Sequence, residues 1–106
     1  MKIISRKDFL ALKENVLFQK YRPCMFLDLE IKTGNCGDND FYSITIENAF
    51  SDNVGLPFYE TELTDEEFPI ELAYCMRDGM FDDEEMYAIW SKDDIRQLIE
   101  SLEELL

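Results

Sequence analysis

Between residues 25 and 32 apolar and polar side chains alternate: Met25, Leu27, Leu29 and Ile31 fall on one side, and Phe26, Asp28, Glu30 and Lys32 on the other. A period of two over that length predicts a β-strand with one buried face. Tyr42, Ile44 and Ile46 alternate in the same way with Ser43, Thr45 and Glu47. Residues 33–40 between them are rich in types that tolerate turns, so the two strands read as an antiparallel hairpin with a longer loop. Residues 16–21 add a strand before this pair, and residues 86–90 add another near the end of the chain.

The second period is helical. Ile95, Leu98, Ile99, Leu102 and Leu105 recur at i, i+3, i+4, i+7 and i+10, which makes one apolar stripe. Three segments open with a Ser or Thr followed three residues later by an acid: Ser5 with Asp8, Thr64 with Glu67, and Ser91 with Asp94. In each, an apolar pair flanks the box (Ile4 and Phe9, Leu63 and Phe68, Trp90 and Ile95), the grammar of a helix start. The boxes predict a short helix over residues 6–13 and a C-terminal helix after Ser91. The middle one predicts a first turn that Pro69 interrupts and a helix that restarts there and ends at Gly79. Residues 51–62 read as loop. Each amphipathic element must bury its stripe against another. The expected fold is therefore α+β: an antiparallel sheet of about four strands packed on the C-terminal amphipathic helix, with short additional helices. The C-terminal stripe reads as core, with a dimer seam as the alternative.

The 106 residues suit a single domain, residues 1–106, and the 46% apolar content suits a packed core. No stretch is apolar for long enough to span a membrane, and no leader pattern stands at the start, so a cytoplasmic protein is expected. Cys24, Cys36 and Cys75 are widely spaced with no Cys-x-x-Cys pair, which encodes neither a disulfide framework nor a zinc ribbon and fits a reducing compartment.

Charge changes the picture most. The chain carries 24 acidic and 10 basic residues and no histidine, for a formal net charge of −14. Residues 1–32 hold seven bases and four acids, whereas residues 33–106 hold 20 acids against Arg77, Lys92 and Arg96. Such a field repels nucleic acid and anionic membranes and speeds encounter with basic surfaces. Residues 60–85 are the most acidic stretch, eleven acids against Arg77 alone. Helix starts account for Asp65, Glu66 and Glu67, but not for Asp82, Asp83, Glu84 and Glu85, nor for Glu103 and Glu104 at the negative end of the last helix.

No calcium-loop spacing is present, histidine-based acid–base catalysis has no histidine to use, and no glycine-rich phosphate cradle is encoded. No cofactor, no metal and no enzymatic activity are expected. The candidate site is a binding surface of Asp65, Glu66, Glu71, Asp82, Asp83, Glu84 and Glu85, with Phe58 and Tyr59 as aromatic anchors. Its expected partner is a basic, nucleic-acid-binding protein, with no direct nucleic-acid or membrane contact. An assembly protein acting through self-association, by the sheet edge or the C-terminal stripe as a homodimer, is the alternative.

The phrase Tyr21-Arg22-Pro23-Cys24-Met25-Phe26, followed by Leu29-Glu30-Ile31-Lys32 and Asp40-Phe41-Tyr42, resembles a pattern in small uncharacterised proteins carried by phages and prophages. The resemblance covers the first half of the chain and brings no catalytic or binding residues with it. It implies service to a mobile element, where small acidic proteins that block host nucleic-acid-binding machinery, such as anti-CRISPR proteins and DNA mimics, are a recognised type.

Overall fold

A computed structural model describes residues 1–46 and 75–106. Along the chain these form β1 (Lys2–Ser5), α1 (Arg6–Ala11), β2 (Val16–Arg22), β3 (Met25–Cys36), β4 (Asp40–Thr45), β5 (Cys75–Arg77), β6 (Met86–Ile89) and α2 (Lys92–Glu103). The strands make one antiparallel sheet in the order β1-β6-β2-β3-β4-β5. The α+β expectation holds, with six strands in place of about four. The two additions, β1 and β5, are the edges of the sheet and are too short to display an alternating pattern. β5 occupies residues 75–77, where a helix ending at Gly79 was expected. The remainder of that expected helix, its Thr64 cap and the expected loop 51–62 lie outside the described residues.

The hairpin loops are tighter than the turn-rich composition suggests. β3 runs on to Cys36, leaving residues 37–39 as the loop to β4, with Gly37 at φ 68°. A register shift between Lys32 and Gly34 absorbs the odd residue as a bulge. β2 and β3 are joined by Pro23 and Cys24 alone, since Arg22 pairs with Met25. Proline sets the first turn position, and the second must take positive φ, which Cys24 does at 65°. A side chain pays a steric penalty there that glycine avoids. Cys24→Gly is expected to stabilise the fold by about 0.5–1 kcal/mol after allowing for the freer unfolded chain. Urea unfolding at equilibrium checks this, and a loss of stability would show that Cys24 is unstrained.

Residues directly opposite each other in a ladder share a face, so the register assigns the two sides. Phe18, Ile89 and Tyr87 lie on one face, along with Glu30, Lys32, Ser43 and Phe41. Helix α1 covers it. Ser5 caps this helix by accepting from the Asp8 amide at 3.2 Å, and Arg6 and Phe9, three apart, turn inward together. Phe9, Phe18, Phe41, Tyr87 and Ile89 form the core, and all four rings have no solvent exposure. In a flat sheet β6 and β4 would stand three strand spacings apart, about 14 Å. The Phe41 and Tyr87 centroids are 6.0 Å apart, so the sheet curls around α1.

This arrangement inverts the burial expected of β3. Its apolar set, including Leu29 and Ile31, lies on the face away from α1, where these two are half-buried. Lys32 instead sits in the core at 2% exposure. Its ammonium lies 4.9 Å from the centre of the Phe9 ring and donates to the Phe9 carbonyl at 3.0 Å and the Leu12 carbonyl at 2.9 Å. These carbonyls lie at the C-terminal end of α1, where that of Phe9 also accepts from the Leu12 amide at 3.2 Å, so a buried lysine completes the C-terminal cap. Burial pushes the Lys32 ammonium below its ordinary value.

The C-terminal helix forms as expected but does not supply the layer over the core. Ser91 and Asp94 close a reciprocal capping box, yet α2 has no buried residue. Ile99, Leu102 and Leu105 are 47%, 53% and 80% exposed. The reason is geometric: α1 already occupies the aromatic face, and α2 departs from the end of β6 at the β1 edge. There the Met1 ammonium meets Asp94 at 2.8 Å, and the Trp90 indole donates to Gln19 at 3.1 Å. The Met1 ammonium first, then the Ser91 amide and hydroxyl, hold the Asp94 carboxyl at about 2. No described helix is long and apolar enough to cross a membrane.

Candidate functional site

The curl of the sheet brings charged residues from both ends of the sequence together on the α1 side. Arg6, at 3% exposure, donates to the Tyr87 hydroxyl at 2.7 Å, to the Asn39 carbonyl at 2.7 Å and to Asp78 at 3.4 Å. Lys20 holds the other oxygen of Asp78. Asp40, at 2% exposure, accepts from the amides of Phe41 at 2.9 Å and Gly79 at 3.1 Å and pairs with Arg77 at 3.1 Å. Burial alone would raise the Asp40 carboxyl; the Gly79 and Phe41 amides, then Arg77 and Arg6, hold it below its ordinary 3.8. Burial pushes the Tyr87 hydroxyl up to about 12 against the opposing pull of Arg6.

This cluster ties distant parts of the chain together. The cavity it encloses measures about 40 Å³ and is lined by residues that include Arg6, Lys20, Asp78 and Tyr87. That admits a water molecule but falls far below the several hundred cubic ångströms of a metabolite site. Among the described residues, no buried side-chain nitrogen or oxygen lacks a partner, and no group of three or more potential ligands is placed to hold a metal ion.

Its function is to fix the connection between β5 and β6. Gly79, at φ 66°, is tied to Asp40; Asp82 then accepts from the Glu84 amide at 3.1 Å through its side chain and from the Glu85 amide at 3.2 Å through its carbonyl. The resulting turn presents Asp82, Asp83 and Glu84 to solvent. Glu85 is different. It is 7% exposed and faces Arg22 at 3.7 Å, so it belongs to the interior lock and not to the exposed row. Asp65, Glu66, Glu71, Phe58 and Tyr59 lie outside the described residues.

The same turn carries two apolar side chains that sequence pattern did not single out. Met80 is 70% exposed and Phe81 48% exposed. Phe81 has φ 51°, a conformation that costs a bulky residue energy, and the Arg77 guanidinium lies 6.0 Å from its ring. An exposed aromatic held in strained backbone beside three exposed acids is a candidate anchor. The pattern gave no warning, because one Met-Phe pair in a turn has no period.

No protein family, curated protein or solved structure matches the chain.

Proposed function

We propose that the chain is an acidic binding module that occupies the basic, nucleic-acid-binding surface of a partner protein, as an inhibitor of the DNA-mimic or anti-CRISPR kind. The observation that carries this is the Asp82–Asp83–Glu84 turn. Its acids are exposed while Arg6, Lys20, Arg22 and Arg77 are engaged by Asp40, Asp78 and Glu85. Residues 47–74 add eight acids and no base, Asp65, Glu66 and Glu71 among them. Carboxylates on a fixed turn offer Lys and Arg side chains the acceptor oxygens that a phosphate backbone would. Phe81 and Met80 supply apolar contact beside these acids, with Phe58 and Tyr59 as further anchors.

The test uses the immobilised protein and bacterial extract freed of nucleic acid. A partner should be retained at low salt, displaced by added duplex DNA, and lost from a column of the D82K/D83K/E84K variant. Phe81→Ala should weaken the captured complex by about tenfold or more, a typical cost of truncating an aromatic anchor. Equal capture by the wild type and the charge-reversed variant would overturn the reading.

A further inference from the structure

We infer that the exposed stripe of α2 is an antiparallel seam for a second copy of the same chain. This gives self-association a defined geometry, and it does not depend on the acidic turn. Ile99 and Leu102 are 47% and 53% exposed, Leu105 just past the helix end is 80% exposed, and α2 contributes nothing buried. Beside it runs a cleft of about 320 Å³ lined by Met1, Trp90, Asp94, Gln97, Leu98 and Ser101, which continues the apolar surface to the β1 edge. At that edge Met1 and Ile3 are 51% and 43% exposed.

The charges of α2 say what covers it. At 3.6 residues per turn, Lys92, Arg96 and Glu103 lie along one border of the stripe, the two bases near its start and the acid near its end. In an antiparallel pair that border meets itself reversed, so Lys92 and Arg96 of one copy run beside Glu103 of the other. A parallel pair instead sets that border beside the partner's opposite border of Asp94 and Ser101, which leaves Glu103 without a basic partner. The opposite border places Asp94 beside Ser101, which adds no repulsion.

The helix dipole favours the same arrangement. Lys92 stands in the first turn and Glu103 in the last, where no base is found. Each is at the end of its own helix that disfavours its charge. An antiparallel partner brings its negative C-terminal end to Lys92 and its positive N-terminal end to Glu103. Charges that weaken the isolated helix therefore support the pair.

Sedimentation of the full chain from micromolar to millimolar concentration tests the seam. A monomer–dimer equilibrium is expected, and I99D/L102D, at exposed positions that leave the fold intact by circular dichroism, should weaken it by about 30-fold or more. K92E/R96E should weaken it by about fivefold although it suits the dipole of the isolated helix, and adding E103K should restore it. D82K/D83K/E84K should dimerise like the wild type, which separates this result from the fate of the acidic turn. A monomer throughout, or a dimer indifferent to I99D/L102D, overturns the seam. A dimer that K92E/R96E leaves unchanged, or that adding E103K fails to restore, overturns its antiparallel geometry.

Discussion

Replacing Arg6 with methionine is expected to lower the free energy of unfolding by about 3 kcal/mol, the lower end of what breaking a buried ionic contact costs. Methionine fills much of the arginine stem, so the loss reports on the guanidinium. That group serves Tyr87, Asn39 and Asp78 together and lies 5.7 Å from the centre of the Phe41 ring. Without it, the Tyr87 hydroxyl and the Asn39 carbonyl lose their partner. The cost stays at the lower end because Asp78 keeps Lys20 and Asp40 keeps Arg77. Arg6→Lys should lose less, since one ammonium keeps the charge but cannot span all three acceptors. Acid adds a second signature. The folded Asp40 carboxyl lies below its ordinary value, so the stability it contributes is present above pH 3.8 and lost as pH falls through the lowered value. Removing Arg6 removes one of the charges that depress it, so acid unfolding should move to higher pH. Urea titrations at pH 7 and an acid titration check both points; an R6M loss under about 1 kcal/mol would mean the contacts of Arg6 are energetically idle.

The same cluster shows where the sequence was legible and where it was not. Signals confined to a few neighbouring residues were read well: Ser5 with Asp8 and Ser91 with Asp94 start the two described helices, alternation located β3 and β4, and β2 and β6 lie where strands were expected. Burial of charge was not legible, because the partners are far apart along the chain. Arg6 meets Tyr87 across 81 positions and Asp78 across 72, and Lys32 meets Phe9 across 23. No local pattern marks such residues as interior. The uneven charge along the chain was visible, but its meaning was read only outward. Arg6, Lys20 and Arg22 from the basic start turn out to be ion-pair partners of Asp78 and Glu85 from the acidic end. Part of the asymmetry is thus an internal contact map, and only what remains exposed is available to a partner. Short edges escaped for a different reason: three or four residues, as in β5 and β1, cannot show a period.

The cleanest apolar stripe in the sequence belongs to α2, yet the helix that holds the fold together is the six-residue α1, and Phe9→Ala should show it. This substitution is expected to cost about 4 kcal/mol, as for a fully buried phenylalanine whose site cannot collapse. Phe9 stacks on Tyr87 at 4.1 Å and meets Phe18 at 4.8 Å and Phe41 at 4.9 Å, so its loss opens a cavity bordered by three rings from three strands. It also frees the end of α1, whose carbonyls hold the Lys32 ammonium. A buried cation that loses its acceptors adds to the penalty. Phe9→Leu, which keeps most of the volume, should cost about half as much. Leu102→Ala on α2, measured in dilute solution where the proposed dimer is dissociated, should cost less than about 0.5 kcal/mol, as for an exposed position. The ordering of the three is decisive. If Leu102→Ala proved the more damaging and Phe9→Ala nearly harmless, the layer over the aromatic core would have to be α2, and the curled sheet closed by α1 would be wrong.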